Sequence, residues 1–377
     1  MTEVTEAPPG RRRIASGHLV DLGEISGEGC VEAAHQLYSA LIAQWEPAIL
    51  ESSSTLGVFE ALRTGPASSD EVAESISGDP RSVRLLLEAL VAYGWVTRTE
   101  SRKGESRYAA EEAVIACLTG GSMFSLLGKV GYNRAVSSTA WRGLDHSVRN
   151  GVSGGNGEID NNAISAEQYE DLVTGINFWA PPIVDKLADR LSRDGWGSGE
   201  PREILDIGCG SGIYSQLLLR RFEAATAIGL DADNILRIAA DQARTLGVAE
   251  RFDTRAADFW GADWGRDRDL VVFANIFHLV NPSGAATLLE KARAAVGPDG
   301  VIAIVDNILV GGLETDSPQD RFASLFALSM LVTGGGTTYE LRDYDAWLAG
   351  AGLTRTALID APMHRIILAR PKHEVAQ

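Results

Sequence analysis

The chain is short of cysteine, of basic residues and of long apolar runs. Its 377 residues include only Cys30, Cys117 and Cys209, without the Cys-x-x-Cys or Cys/His spacing of a zinc site, and no carboxylate and histidine cluster suggests another metal. Scattered, odd-numbered cysteines favour the reduced cytoplasm, where we expect the protein to be. No run approaches the roughly 18 apolar residues of a membrane span, and residues 1–10 lack the apolar core of a signal peptide.

The balance of charge excludes two further classes of partner. The chain has 34 basic and 51 acidic residues, which gives a formal net charge of −17. Such a surface repels nucleic-acid backbones and anionic lipids, so we expect neither nucleic acid nor membrane as a partner. An apolar content of 45% is ordinary for a globular protein, and the length indicates two domains joined by a connector.

The stretch around which the chain is organised is residues 203–213, Glu-Ile-Leu-Asp-Ile-Gly-Cys-Gly-Ser-Gly-Ile. Its apolar run predicts a buried parallel strand, and a helical pattern follows from Tyr214. Between them stand Gly208, Gly210 and Gly212, which let backbone approach a ligand without Cβ collisions. A strand, a glycine turn and a helix form the ligand-binding corner of an open α/β sheet.

The residues around this turn indicate the ligand. A dinucleotide fingerprint requires a third glycine where this chain has Ile213, and no Gly-Lys-Ser/Thr of a P-loop is present. Asp206 suits a cationic amino group, and Asp231, which ends the next apolar strand, can accept two ribose hydroxyls. A third strand leads to Asp258 and Phe259, suited to an adenine amino group and an aromatic wall. An amino acid, a ribose and an adenine without pyrophosphate describe S-adenosylmethionine (SAM).

With these motifs the sequence resembles class I SAM-dependent methyltransferases. From residue 32 to 370 it is similar to the small-molecule O-methyltransferases of plants and of bacterial natural-product and antibiotic pathways. The resemblance implies an α/β Rossmann-like SAM-methyltransferase domain behind an N-terminal, mainly α winged-helix dimerisation domain. We expect a disordered tail over residues 1–30, the dimerisation domain over 31–111, a helical connector that walls the substrate pocket over 112–198, and the catalytic domain over 199–377.

The N-terminal region offers two functions. Helical patterns up to Gly94, followed by strand patterns over 95–99 and 107–109, predict a winged helix, for which DNA binding is one function. DNA binding gains affinity when basic side chains displace counterions from the phosphates, and this region is acidic, so that gain would be small. Its acidic residues are Asp70, Glu71, Glu74, Asp79 and Glu88. The resemblance implies instead a module that exchanges helices with a second subunit, so we expect a homodimer.

Methyl transfer from a sulfonium requires alignment, and proton removal when a hydroxyl is attacked. His278 follows an apolar strand, and the resemblance implies that it is the general base, against the alternative of a structural histidine at a strand end. Asp306, at the end of the next strand, matches the first of the family's two acidic helpers. The second would lie near residues 334–338, which contain no acid, and Glu340 or Asp343 matches only with a shift.

The remaining site predictions concern the cofactor and the acceptor. Asn275, three residues before His278, is predicted to contact the cofactor. Residues predicted to line the substrate pocket, as opposed to plain core, are Met123, Phe124, Phe178, Trp179, Phe322 and Phe326. Because the second acid is missing, C- or N-methylation and SAM-assisted cyclisation stay open beside O-methylation of a small aromatic metabolite. A winged-helix regulator that senses SAM is the alternative from another class.

Overall fold

A computed structural model describes residues 28–100, 104–151, 165–311 and 317–372. The predicted tail lies outside the described residues except for its last three, which belong to the first helix. The Gly- and Asn-containing stretch 151–162, for which a long loop is predicted, lies outside them except for Gly151, which ends a helix in the left-handed conformation. Within the described ranges, no helix has the length and apolar character that crossing a bilayer requires.

The N-terminal unit has the predicted order of helices followed by an antiparallel hairpin. Its elements are α1 (Glu28–Ile42), α2 (Trp45–Leu56), α3 (Val58–Ala61), α4 (Ser69–Ser75), α5 (Pro80–Tyr93), β1 (Thr97–Glu100) and β2 (Ser106–Ala109). Ser68 and Glu71 form a capping box at the start of α4, and the Asp79 side chain caps α5. Phe59, Leu87 and Leu90 are fully buried in its small core.

The connector is helical, as predicted. It contains α6 (Glu112–Leu118), α7 (Leu127–Tyr132), a π-helical turn (Asn133–Ser137), α8 (Ser138–Arg142), α9 (Leu144–Asn150), α10 (Ala166–Gly175), a 3-10 turn (Asn177–Trp179) and α11 (Ala180–Arg193). The two prolines at 181 and 182 do not interrupt a helix but stand in the first turn of α11, where a missing N–H is tolerated. Helices α7 and α10 cross closely at Gly128. A Cβ at this position would lie 2.2 Å from the carbonyl oxygen of Asp171, so a larger residue would not fit.

The C-terminal region is a seven-stranded sheet with helices on both faces. Its strands are β3 (Arg202–Ile207), β4 (Ala225–Asp231), β5 (Phe252–Ala256), β6 (Arg268–Ala274), β7 (Val296–Asp306), β8 (Leu353–Asp360) and β9 (Arg365–Pro371). Its helices are α12 (Ile213–Arg221), α13 (Asp233–Thr245), α14 (Pro282–Ala295), α15 (Pro318–Thr333) and α16 (Leu341–Gly350). The strand order is β5-β4-β3-β6-β7-β9-β8, and β9 runs antiparallel to both β7 and β8.

This topology brings the predicted site residues to one edge. Strand β3 lies between β4 and β6, and β6 lies between β3 and β7, all parallel. The residues that follow the carboxyl ends of these strands therefore meet at the same edge of the sheet, beside the glycine turn.

A Pro-Asp-Gly sequence at residues 298–300, which by itself predicts a turn, is part of β7, which begins at Val296. The register between β6 and β7 shifts from Arg268 opposite Val296 to Leu270 opposite Val301. The extra residues of β7 are therefore taken up as an irregularity inside the strand. A Pro-Asp-Gly sequence suits such an irregularity as well as a chain reversal, so the sequence alone does not distinguish the two.

Candidate active site

The glycine turn after β3 adopts a backbone that other residues avoid. Gly208, Gly210 and Gly212 have φ of 63°, 56° and 73°, in the left-handed region. A Cβ at Gly208 would also lie 2.5 Å from Cδ1 of Ile276, and one at Gly212 would lie 2.8 Å from Cζ of Phe252. The turn therefore requires glycine both for its conformation and for the packing around it.

Two carboxylates flank this turn. Asp231, at the end of β4, accepts hydrogen bonds from the backbone N–H of Gly210 (2.8 Å) and of Ala232 (2.7 Å). Asp206 is 1% exposed and accepts from Oγ of Ser215 at 2.6 Å. Burial raises the pKa of Asp206 to about 6, and the nearby charge of Asp231 adds to that rise. A ligand with positive charge and hydroxyl donors complements this pair.

Asp258 and Phe259 follow β5 at the same edge. One oxygen of Asp258 accepts from the backbone N–H of Trp260 (3.1 Å), and the Phe259 ring lies 5.2 Å from the Trp260 ring, centroid to centroid. The carbonyl oxygen of Phe259 accepts from Nζ of Lys291 at 2.9 Å, which fixes this short segment against α14.

His278 and Asp306 meet behind the carboxyl ends of β6 and β7. Nδ1 of His278 lies 2.8 Å from Oδ1 of Asp306, and the backbone N–H of His278 donates to the other oxygen at 3.2 Å. Burial of Asp306 raises its pKa, but the attraction and hydrogen bond of His278 and the N–H of Asn307 outweigh burial, so its pKa is lowered overall. Asp306 is therefore held as a carboxylate.

Both shifted candidates for the second acid are engaged at the start of a helix. Glu340 and Asp343 form a capping box with each other at the start of α16, because Glu340 is the N-cap residue. The loop where the family's acid would lie instead covers the backbone of His278, since the N–H of Thr337 donates to the His278 carbonyl at 3.0 Å. The loop in which the resembling family has its second acid thus contacts His278 through backbone atoms.

The six predicted pocket residues fall into three groups. Phe326 contacts the His278 ring edge-on at 5.0 Å between centroids, and Phe322 stacks on Phe326 at 5.8 Å. Met123 and Trp179 pack against the core beneath α11. Phe124 and Phe178 are 40% and 37% exposed. Among these six residues, Phe326 is therefore the one in ring contact with the predicted base.

Sequence reasoning missed a second histidine at this edge. Nε2 of His364, in the turn between β8 and β9, lies 2.9 Å from Oδ1 of Asn275, and its ring packs edge-on against Trp179 at 4.8 Å. Asn275 itself has φ 60°, and its Nδ2 donates to the hydroxyl of Tyr214 at 3.3 Å. No local pattern marks His364, because its partners lie far away in the sequence.

The comparisons with known proteins agree with this geometry. A family model described as a methyltransferase domain matches residues 204–300, and one described as an O-methyltransferase dimerisation domain matches residues 40–119. The chain belongs to the SAM-dependent methyltransferases.

Relatives of this methyltransferase act in bacteria and in animals. The 3-hydroxy-5-methyl-1-naphthoate 3-O-methyltransferase of Streptomyces sahachiroi is 25% identical over 323 residues, covering 84% of this chain and 88% of the relative. The N,N-dimethyltransferase OxyT of Streptomyces rimosus is 23% identical over 328 residues, covering 85% and 91%. A crystal structure of human N-acetylserotonin methyltransferase with SAM superposes with a TM-score of 0.77 at 20% identity, covering 93% of this chain and 99% of that one.

The residues of the methyltransferase at the glycine turn fit SAM. Two carboxylates, one of them with a pKa raised by burial and by its neighbour, face a left-handed glycine turn that exposes backbone to a ligand. Such a pair would accept hydrogen bonds from an ammonium and from two ribose hydroxyls, and its negative charge would favour a nearby sulfonium.

Proposed function

We propose that this methyltransferase O-methylates a small aromatic secondary metabolite, with His278 as general base. The observation that carries the proposal is the hydrogen bond between Nδ1 of His278 and Asp306. A carboxylate only accepts, so it holds the ring proton on Nδ1 and leaves Nε2 able to take a proton from a hydroxyl. Asp306 then stabilises the imidazolium that forms.

The residues proposed to bind the cofactor lie at the same edge of the sheet. SAM supplies an activated methyl group, so the protein has to position it and to accept a proton. We infer that Asp231 binds the ribose hydroxyls and that Asp206 balances the positive charge of the amino acid end. Asp258 and Phe259 would hold the adenine, and Asn275 would contact the cofactor between these groups and His278.

The test uses SAM with a deuterated methyl group and three aromatic acceptors named after the relatives. These acceptors are 3-hydroxy-5-methyl-1-naphthoate, N-acetylserotonin and 3-amino-4-hydroxybenzoate. Mass spectrometry that finds the label on a phenolic oxygen, with loss of product in His278→Ala, supports the proposal. Label on nitrogen or carbon, or a product that His278→Ala still forms, contradicts it.

N-methylation is the second candidate. The second acidic helper is replaced by the capping pair Glu340 and Asp343, and relatives such as OxyT are named as N-methyltransferases. Attack by a neutral amine needs positioning more than a strong base. Label transferred to the amino group of 3-amino-4-hydroxybenzoate, at a rate that His278→Ala leaves unchanged, would favour it.

We infer that the N-terminal unit forms a homodimer. Leu37, Leu41 and Leu56 are 67%, 70% and 51% exposed, so the described residues of one chain leave these large apolar side chains uncovered. A monomer would leave this surface in water, and the matching dimerisation model spans residues 40–119.

DNA binding by the same unit is disfavoured by its charges. Two arginines of the hairpin are already paired, Arg98 with Glu88 and Arg107 with Glu71. This pairing reduces the positive charge that a phosphate backbone would require, which argues against a SAM-sensing regulator.

A further inference from the structure

The carboxamide of Asn307 is buried without a hydrogen-bond partner. Asn307 directly follows Asp306 at the end of β7 and is 1% exposed. Its backbone N–H donates to Oδ1 of Asp306 at 2.7 Å, but neither Oδ1 nor Nδ2 of its side chain has a partner among the described residues. A buried carboxamide without partners is unfavourable, so a group outside these residues is expected to pair with it.

Strand alternation places this carboxamide on the face of the sheet covered by α11. Val301, Ala303 and Val305 contribute to the core beneath α11, whereas Ile302, Ile304 and Ile308 contribute to the core on the other face. Asn307 continues the first series.

The surroundings of Asn307 include a second polar group without a partner. Because Asp306 pairs with Arg365 in the antiparallel register of β7 and β9, Asn307 lies across from His364. Trp179 packs against the His364 ring, and its buried Nε1 also has no partner in the described part of the chain. Unpaired groups from two elements thus lie around His364.

We infer that Asn307 binds the methyl acceptor, through an edge of the substrate that offers one hydrogen-bond donor and one acceptor side by side. This inference rests on the proposed methyl transfer, because it assigns the acceptor to this edge of the sheet. The substrate class that fits is a neutral aromatic with a lactam or carboxamide edge.

Charge disfavours a carboxylate at this edge, so the naphthoate and benzoate acceptors named above should bind more weakly than a neutral aromatic. A carboxylate substrate offers only acceptors and would leave Oδ1 of Asn307 unpaired. The buried cation of the adjoining strand, Arg365, is already bound by Asp320 and Asp360, so it offers little compensation for the charge of a carboxylate.

The test compares two fragments that differ only in the donor. 2-Quinolone has a lactam N–H beside its carbonyl, and coumarin replaces that N–H with an ester oxygen. We expect calorimetry on the full-length enzyme, saturated with S-adenosylhomocysteine, to give about tenfold tighter binding of 2-quinolone, because coumarin leaves the acceptor oxygen of Asn307 unpaired. In Asn307→Leu the ratio of the two affinities should fall to about one, whereas Asn150→Leu, an exposed control, should keep it.

A stability measurement distinguishes a ligand-binding role from a structural one. Leucine has a similar volume and no polar atoms, so the ligand-free Asn307→Leu variant should melt at the same temperature or about 1–3 °C higher. A fall of several degrees would mean that water or another chain segment holds the carboxamide, and would overturn the inference. If this variant does not fold, Asn307→Ser replaces it in the binding test.

The binding outcomes are equally decisive. An equal preference for 2-quinolone in the wild type and in Asn307→Leu would overturn the assignment of Asn307. Failure of the wild type to bind either fragment, or tighter binding of coumarin, would overturn the lactam class. Neither measurement involves turnover, so they stay separate from the test of His278 as base.

Discussion

Nε2 of His364 lies 2.9 Å from Oδ1 of Asn275, across 89 residues of sequence. A carboxamide oxygen only accepts, which assigns the ring proton to Nε2. Burial lowers the pKa of His364 to about 4, against the opposing attraction of Asp306 and with a small contribution from His278. The ring is therefore neutral, and its hydrogen bond supports the left-handed conformation of Asn275 near the glycine turn.

This relationship predicts a dependence of stability on pH. The unfolded chain binds a proton at His364 below about pH 6.5, whereas the folded chain resists it until about pH 4. The stabilisation is therefore complete above pH 6.5 and is lost as the pH falls towards 4, by on the order of 3 kcal/mol. Urea unfolding should show this loss in the wild type relative to His364→Gln. A constant difference between the two proteins over that range would contradict the assignment.

The predicted base gives a test of catalysis. His278→Ala should lower turnover of a hydroxyl acceptor by about 10²–10⁴, because the group proposed to accept the proton is then missing. Asp306→Asn should lower it less, since the ring stays in place while its tautomer is no longer fixed. SAM affinity should remain near wild type in both, and His146→Ala, an exposed histidine, serves as control. Loss of SAM binding in His278→Ala would indicate a structural histidine.

Asp231 should control the affinity for SAM. Two charge-assisted hydrogen bonds from ribose hydroxyls contribute about 1.5–3 kcal/mol each, so Asp231→Ala should weaken binding about tenfold or more. The SAM affinity of Asp231→Asn should lie between those of the wild type and Asp231→Ala, because an amide oxygen can still accept from the N–H of Gly210. Asp233→Ala, two residues later and exposed, should bind normally in calorimetry. Unchanged affinity in Asp231→Ala would remove this residue from the site.

SAM binding should also depend on pH through Asp206. Its pKa is raised to about 6, so the side chain is protonated and neutral below that pH and ionised above it. A positively charged ligand favours the ionised form, so affinity should be constant above pH 7 and fall by up to tenfold per unit below pH 6. Calorimetry at pH 6 should detect proton release on binding. Asp206→Asn should abolish this release, and a wild type that releases none would contradict the role.

The exposed leucines of α1 predict a homodimer that charge should disrupt. Leu37→Glu with Leu41→Glu places two carboxylates in the proposed contact, where their desolvation is unfavourable. Light scattering at micromolar concentration should report a dimer for the wild type and a monomer for this double variant. Gln36→Glu adds charge on the same helix without removing an apolar side chain, and should remain dimeric. A monomeric wild type would refute the dimer.

The sequence determined the framework of this protein. Apolar runs that end in Gly208, Asp231 and His278 marked the strands and their carboxyl ends, because a buried parallel strand has to be apolar until it reaches the edge of the sheet. Parallel connectivity then required those ends to lie together. The meeting of His278 and Asp306 was predictable for the same reason, since each follows a strand that pairs with its neighbour.

Only the tertiary structure decided which side chains have partners. Glu340 matched a catalytic acid in sequence only with a shift and caps a helix, and Leu37, in an apolar helical pattern, is exposed within one chain. Asn307 and His364 carried no local signal, since their environment is set by the register of β7 against β9. Hydrophobic periodicity encodes which face of an element is buried, but the pairing of a polar group depends on atoms brought within about 3 Å by the whole fold.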